Sequence, residues 1–205
     1  RPVHRAAPRR APLGQGRPAV GQAAPVSAAT TADDLDVVAG LLREVPDFPT
    51  PGIRFWDLTA LLADGAGLAA TTRLLGAPAR DGGVDVVVGI EARGFLLGAA
   101  VAQSLGVGVV AVRKEGKLPA VAARQSYELE YGSAVLELPH DVLRPGARAL
   151  LVDDVLATGG TAAAACALVE GAGATVAAFS VVLELPALGG RARLGDHTVH
   201  ALLAR

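Results

Sequence analysis

Residues 149–165 read ALLVDDVLATGGTAAAA, and their order sets the fold around them. An aliphatic run meets two adjacent carboxylates, Asp153 and Asp154, and after Val155-Leu156-Ala157 the turn Thr158-Gly159-Gly160-Thr161 opens an alanine-rich segment. The sequence therefore predicts strand, acidic tip, turn and helix. The two glycines let backbone N–H groups come close to a ligand, and the free N–H groups of a helix's first turn form an electropositive cradle for phosphate. Thr158 and Thr161 add hydroxyl donors. No lysine follows the glycines, so this is not a GxxxxGK[ST] loop, and it does not match GxGxxG. The aspartates precede the turn, where they face a ligand lying over the strand's carboxyl end. Each can accept a hydrogen bond from one hydroxyl of a vicinal pair, and together they favour positive charge on a sugar or a nearby cation. A ribose 5-phosphate meets all of these demands.

The rest of the chain is consistent with one aliphatic-rich globular domain. It has 205 residues, 51% of them hydrophobic and only 3% aromatic, enough for a full core. A net charge of -1 provides no field to attract nucleic acid or membrane. The single cysteine, Cys166, cannot form an intrachain disulfide, which fits a reducing, cytoplasmic setting. No apolar run reaches the roughly 18 to 20 residues that cross a bilayer.

Moving outward, residues 1–32 carry five arginines, five prolines and no acid, and are expected to be a disordered Arg/Pro/Ala-rich tail preceding a domain at 33–205. Leu35, Val38, Leu41, Leu42 and Val45 recur at helical spacing, predicting a helix that ends before Pro46. Residues 47–52, DFPTPG, force an irregular connection into a short extended segment, 53–58. An alanine- and leucine-rich helix follows over about 65–80. Residues 84–90 form a continuous apolar strand, whose end carries Glu91-Ala92-Arg93-Gly94 before a helix over about 96–105. A further strand at 107–112 runs into Arg113-Lys114-Glu115-Gly116-Lys117, three cations around a glycine, suited to a diphosphate. Residues 126–138 alternate as a two-stranded flap about Gly132. A strand over 175–185, a short helix or loop over 188–194 and a strand over 197–203 close the chain. His197 and His200, three apart, face opposite sides of that strand and do not suit a metal pair.

Four of these segments resemble the type I phosphoribosyltransferases, in particular the branch that uses adenine. VDDVLATGGT is similar to the family's motif for phosphoribosyl pyrophosphate (PRPP), DFPTPGIRFWDLT to its base-reading segment, GIEARGFLLGAAVA with RKEGKLP to its diphosphate loops, and SYELEYG to its closing flap. The likeness covers nearly all of 33–205. It implies an α/β fold with an open, mainly parallel sheet, helices on both faces, a small hood and a mobile flap. It implies transfer of the phosphoribosyl group of PRPP to adenine, giving AMP and pyrophosphate, with Mg2+ bound mainly through PRPP.

By the same resemblance, main-chain groups at Arg54 read the adenine edge and Phe55 stacks on the purine. Arg93, Lys114 and Lys117 meet the diphosphate, and Arg113 reaches the active site of a partner in a homodimer. Glu130 faces the base's imidazole side and takes up its proton, while Tyr131 shields the reacting centre. Asp153 and Asp154 join Glu130 as catalytic candidates, with Ala157, Thr158, Gly159, Gly160 and Thr161 around the phosphate. Two residues depart from the pattern: Arg54 replaces an aliphatic, and Trp56 replaces arginine or lysine. Should that cation hold ligand, Arg54 next door is the candidate substitute. A transferase for 6-oxopurines and a non-catalytic PRPP-binding regulator are the alternative readings.

Overall fold

The computed structural model describes residues 28–128 and 132–205. Residues 1–27, most of the expected tail, and 129–131, which include Glu130 and Tyr131, lie outside the described residues.

The chain begins with α1 (Ala28–Leu41), then β1 (Arg43–Pro46), β2 (Arg54–Asp57), α2 (Thr59–Ala63), α3 (Gly65–Leu75) and α4 (Pro78–Gly82). It continues through β3 (Val86–Ile90), α5 (Arg93–Leu105), β4 (Gly108–Lys114), β5 (Val121–Glu128), β6 (Ser133–Pro139), β7 (Arg148–Leu156), α6 (Gly160–Gly171) and β8 (Thr175–Glu184). Two 3-10 turns, Pro186–Leu188 and Gly190–Leu194, lead into β9 (Val199–Ala204).

Seven strands form one sheet in the order β5-β6-β4-β3-β7-β8-β9. The run from β4 through β3, β7 and β8 to β9 is parallel, as the apolar strands predict, and β5 and β6 are an antiparallel ribbon at the β4 edge. Every residue of β3 is buried, because an interior parallel strand is covered on both faces. The period of two along a strand splits its side chains between two cores. Val88, Leu151, Phe179 and Val181 pack on one face against Ala165 and Val169 of α6. Val87, Leu150, Val152 and Val182 pack on the other against Val38 of α1, Leu74 of α3, and Leu97 and Val101 of α5. A bidentate pair, Arg73 to buried Asp34 at 2.8 and 2.6 Å, ties α1 to α3.

Three expectations shift. Helix α1 starts at Ala28, inside the segment assigned to the tail. It also stops at Leu41, because Arg43–Pro46 pairs instead with Arg54–Asp57 as a separate two-stranded ribbon. The helix expected over 65–80 is interrupted: α3 ends at Leu75 and Pro78 begins α4. Pro lacks the N–H that an interior helical position must donate, but fits a first turn.

Candidate active site

Asp153 and Asp154 sit near the carboxyl end of β7, 8% and 7% exposed. The Asp154 N–H donates to Asp153 Oδ1 at 2.9 Å, which binds the two residues to each other. Burial, and then the neighbouring Asp154 charge, hold the Asp153 carboxyl well above its ordinary range. A cavity of about 80 Å³ opens beside Asp153 and is walled by 155–162, with Ala157, Thr158, Gly159, Gly160 and Thr161 all lining it. Gly160 is the first residue of α6, so the free N–H groups of that helix point to this cavity's rim.

Close backbone packing holds the loop. Gly159 has φ +81°, a left-handed conformation natural only to glycine. A Cβ there would collide with the Gly190 carbonyl oxygen, and a Cβ on Gly190 would collide with the Ala157 carbonyl and stand 2.9 Å from the Gly159 nitrogen. The two glycines interlock. Arg191 then fixes the Gly190 segment by donating to Glu184, at the end of β8, at 2.9 and 2.5 Å. On the flap side, a Cβ at Gly160 would lie 2.9 Å from the Glu128 carbonyl of β5.

The neighbouring loop comes from β3 and α5. The Glu91-Ala92 peptide is cis. Gly94, in the first turn of α5, lies so close to β7 that a Cβ would meet the Val152 carbonyl at 2.7 Å and Asp153 Oδ1 at 2.9 Å. That contact brings Arg93 within reach of Asp154, and their side chains form an ion pair. The sugar and diphosphate segments of the sequence thus meet through one salt bridge.

Across β4, Arg113 turns back into its own chain. Its Nη1 donates to the Lys117 carbonyl at 3.2 Å, its guanidinium lies 5.8 Å from the Phe95 ring centroid, and its Nε is 3.4 Å from Glu91. Lys117 Nζ donates to Glu91 at 3.1 Å, while Lys114 is exposed. Glu137, buried on β6, accepts from Arg124 at 2.8 Å and from the Gly116 N–H at 3.1 Å.

The ribbon β1–β2 carries the base-reading candidates. Phe55 packs edge-on to Phe48 with ring centroids 5.1 Å apart. Arg54 and Trp56, the two departures, share the opposite face of β2, since alternate strand residues point the same way. Arg54 pairs with Glu44 across the ribbon and Trp56 packs toward the α1–α5 core, with the Arg205 guanidinium 5.8 Å from its ring. Arg54 is thus engaged with Glu44 of the same ribbon. Glu130 and Tyr131 lie outside the described residues, between the ends of β5 and β6.

The sequence reading missed Glu91, Gly190 and Glu137. The acid closing an apolar strand ahead of three cations, and the Gly-Gly pair at 189–190, were the available signals. A larger cavity of about 360 Å³ lies at the amino-terminal ends of β3 and β4, lined by Val86, Val109 and Val142 among others, and shares none of these residues.

The phosphoribosyl transferase domain model matches residues 57–199. Among curated proteins, the chain is 62% identical over 170 residues to the adenine phosphoribosyltransferase of Saccharopolyspora erythraea, covering 83% of this chain and 92% of that one. It is 60% identical over 169 residues to the same-named protein of Clavibacter sepedonicus, covering 82% and 87%. Among solved structures, adenine phosphoribosyltransferase from Rhodothermus marinus superposes with a TM-score of 0.79 at 44% identity, covering 85% of this chain and 99% of that one. The Saccharomyces cerevisiae enzyme, complexed with adenine and an imino-altritol bisphosphate, gives 0.80 at 37% identity, covering 84% and 99%.

Proposed function

The chain belongs to the phosphoribosyl transferase domain family, and from that premise we propose that it transfers the phosphoribosyl group of PRPP to adenine, forming AMP and pyrophosphate in purine salvage. The observation that carries this reading is the buried Asp153–Asp154 pair, set between the glycine-threonine cradle and Arg93. One ligand with a sugar diol, a phosphate on one side and a diphosphate on the other satisfies all three. The adenine names of the relatives leave the 6-oxopurine and regulator readings unfavoured.

In the reaction the anomeric C–O bond breaks and its electron pair leaves with the diphosphate, while adenine N9 forms the new bond to the same carbon. Asp153 and Asp154 accept hydrogen bonds from the ribose hydroxyls and place negative potential beside the cation-like sugar. The loop from Ala157 to Thr161 holds the 5-phosphate. Arg93, Lys114 and Lys117 stabilise charge on the leaving group. Phe55 stacks on the purine, the backbone at Arg54 reads its edge, and Glu130 takes the N9 proton. Tyr131 and the flap exclude water, which would otherwise hydrolyse the sugar.

Mg2+ fits this site as a substrate-borne ion. No group of three or more His, Cys, Asp or Glu among the described residues makes a cage, whereas hydrated Mg2+ is typically held by one or two carboxylates plus substrate phosphates. Asp153 and Asp154 are the chain's carboxylates for it, and it would add neutralising charge on the diphosphate oxygens.

The proposal extends to residues 33–205 as the transferase domain, to the cytoplasm as its location, and to a homodimer. Leu96 and Val109, 61% and 47% exposed, supply apolar surface. To reach a partner's site, Arg113 would leave Glu91 and Phe95; sedimentation velocity tests the dimer.

Purified protein with PRPP, Mg2+ and each purine in turn tests the reaction. AMP and pyrophosphate are expected with adenine. Absence of product with adenine, or faster reaction with hypoxanthine or guanine, overturns the assignment.

A further inference from the structure

We propose that Glu91 is a positioning residue that competes with the diphosphate for the cations of the 113–117 loop, and so limits how tightly pyrophosphate is held. This rests on the PRPP reading above. Glu91 stands just beyond the end of β3, with its side chain 10% exposed. Its Oε2 accepts the Lys114 N–H at 2.9 Å and its Oε1 accepts from Lys117 Nζ at 3.1 Å. Arg113 Nε lies 3.4 Å from Oε2, is buried, and makes no hydrogen bond. A backbone donor, an ammonium and a guanidinium thus converge on one two-oxygen anion, the arrangement that a phosphate oxygen pair would also seek.

Two other carboxylates of the region, Glu137 and Asp154, have their own cations. Glu137 is held by Arg124 and the Gly116 N–H, and Asp154 by Arg93. Lys117 therefore shares Glu91 with Arg113, and a diphosphate can take Lys117 fully only by displacing that carboxylate or by binding beside it. Either way a fixed negative charge opposes the bound anion. For a transferase whose product is a free diphosphate, that opposition shortens product residence, because affinity differences of this kind appear mainly in the off-rate.

Glu91→Gln keeps the shape and the acceptor for the Lys114 N–H but removes the charge. Titration of inorganic pyrophosphate with Mg2+ into the purified proteins should show binding about three- to tenfold tighter in Glu91→Gln than in wild type. Glu91→Ala should move the same way, and covers the case in which the glutamine variant folds poorly. In a Lys117→Gln background the gain from Glu91→Gln should shrink to about twofold or less, the signature of direct coupling. Equal or weaker pyrophosphate binding in the Glu91 variants, with wild type binding normally, overturns the role given to Glu91. Wild-type protein that binds neither pyrophosphate nor PRPP overturns the underlying reading instead.

Discussion

The proposed phosphate cradle and the proposed base-reading ribbon would hold two ends of one ligand but are built in different ways. The cradle continues the core: Asp153 and Asp154 are buried on a central strand, and Gly159 and Gly190 meet backbone to backbone. The ribbon is an outlying pair of strands joined to no other among the described residues, and its Arg54 side chain is 71% exposed. A site made of backbone and buried charge tolerates almost no change of residue. A site presented on a two-stranded ribbon tolerates change on whichever face does not meet ligand, and the two departures from the family pattern, Arg54 and Trp56, both lie on the face away from Phe55.

The sharpest way to break this contrast is to remove charge from the cradle. Asp154→Asn should lower kcat by about two orders of magnitude, comparable to deleting one preorganised electrostatic group in other enzymes; steady-state assay at saturating PRPP and adenine reads it, and turnover near wild type would end the claim that the buried pair carries the chemistry. Next in size is Gly190→Ala, outside the motif altogether. Its methyl would push on Ala157 and Gly159, so KM for PRPP should rise about 10- to 100-fold while KM for adenine changes far less. A parallel rise in both would place Gly190 in general stability.

The ribbon should respond more mildly and by face. Phe55→Ala should raise KM for adenine roughly tenfold, the scale of one lost base–aromatic stack, while Arg54→Ala should stay within about twofold, since its described partner is an exposed carboxylate. A large Arg54 effect would show that its side chain, rather than its backbone, reads the base.

The smallest effect concerns stability. The folded Asp153 carboxyl titrates above its unfolded value, so the fold binds more protons than the unfolded chain between the two values, and stability falls as pH rises through that window. Asp153→Asn removes this penalty. At pH 8 its Tm should exceed that of wild type, although activity drops. Differential scanning calorimetry at pH 8 and at pH 4 should show the gap narrowing in acid.

Local pattern alone located the acid pair and the glycine turn. Residues 149–165 announce strand, acid pair, turn and helix, because continuous aliphatic burial and a glycine-bounded helix start are local properties of the chain. The parallel strands and the flap pairing were legible for the same reason. The end of α1 was not: Val45 keeps the helical spacing, but pairing Arg43–Pro46 with Arg54–Asp57 gives that segment another use, and periodicity carries no information about a partner ten residues away. Glu130 and Tyr131 came only from resemblance and stand outside the described residues.

The amino-acid order by itself thus determined the parallel α/β plan and the place of the acid pair and the glycine turn that follows it. Only the tertiary structure decided that Arg93 meets Asp154, that Glu91 gathers Arg113 and Lys117, and that Gly190 fits against Gly159. The physical reason is separation along the chain. Strand, turn and helix follow from neighbouring residues, whereas ion pairs and backbone interlocks between distant segments arise when the sheet brings strand ends together.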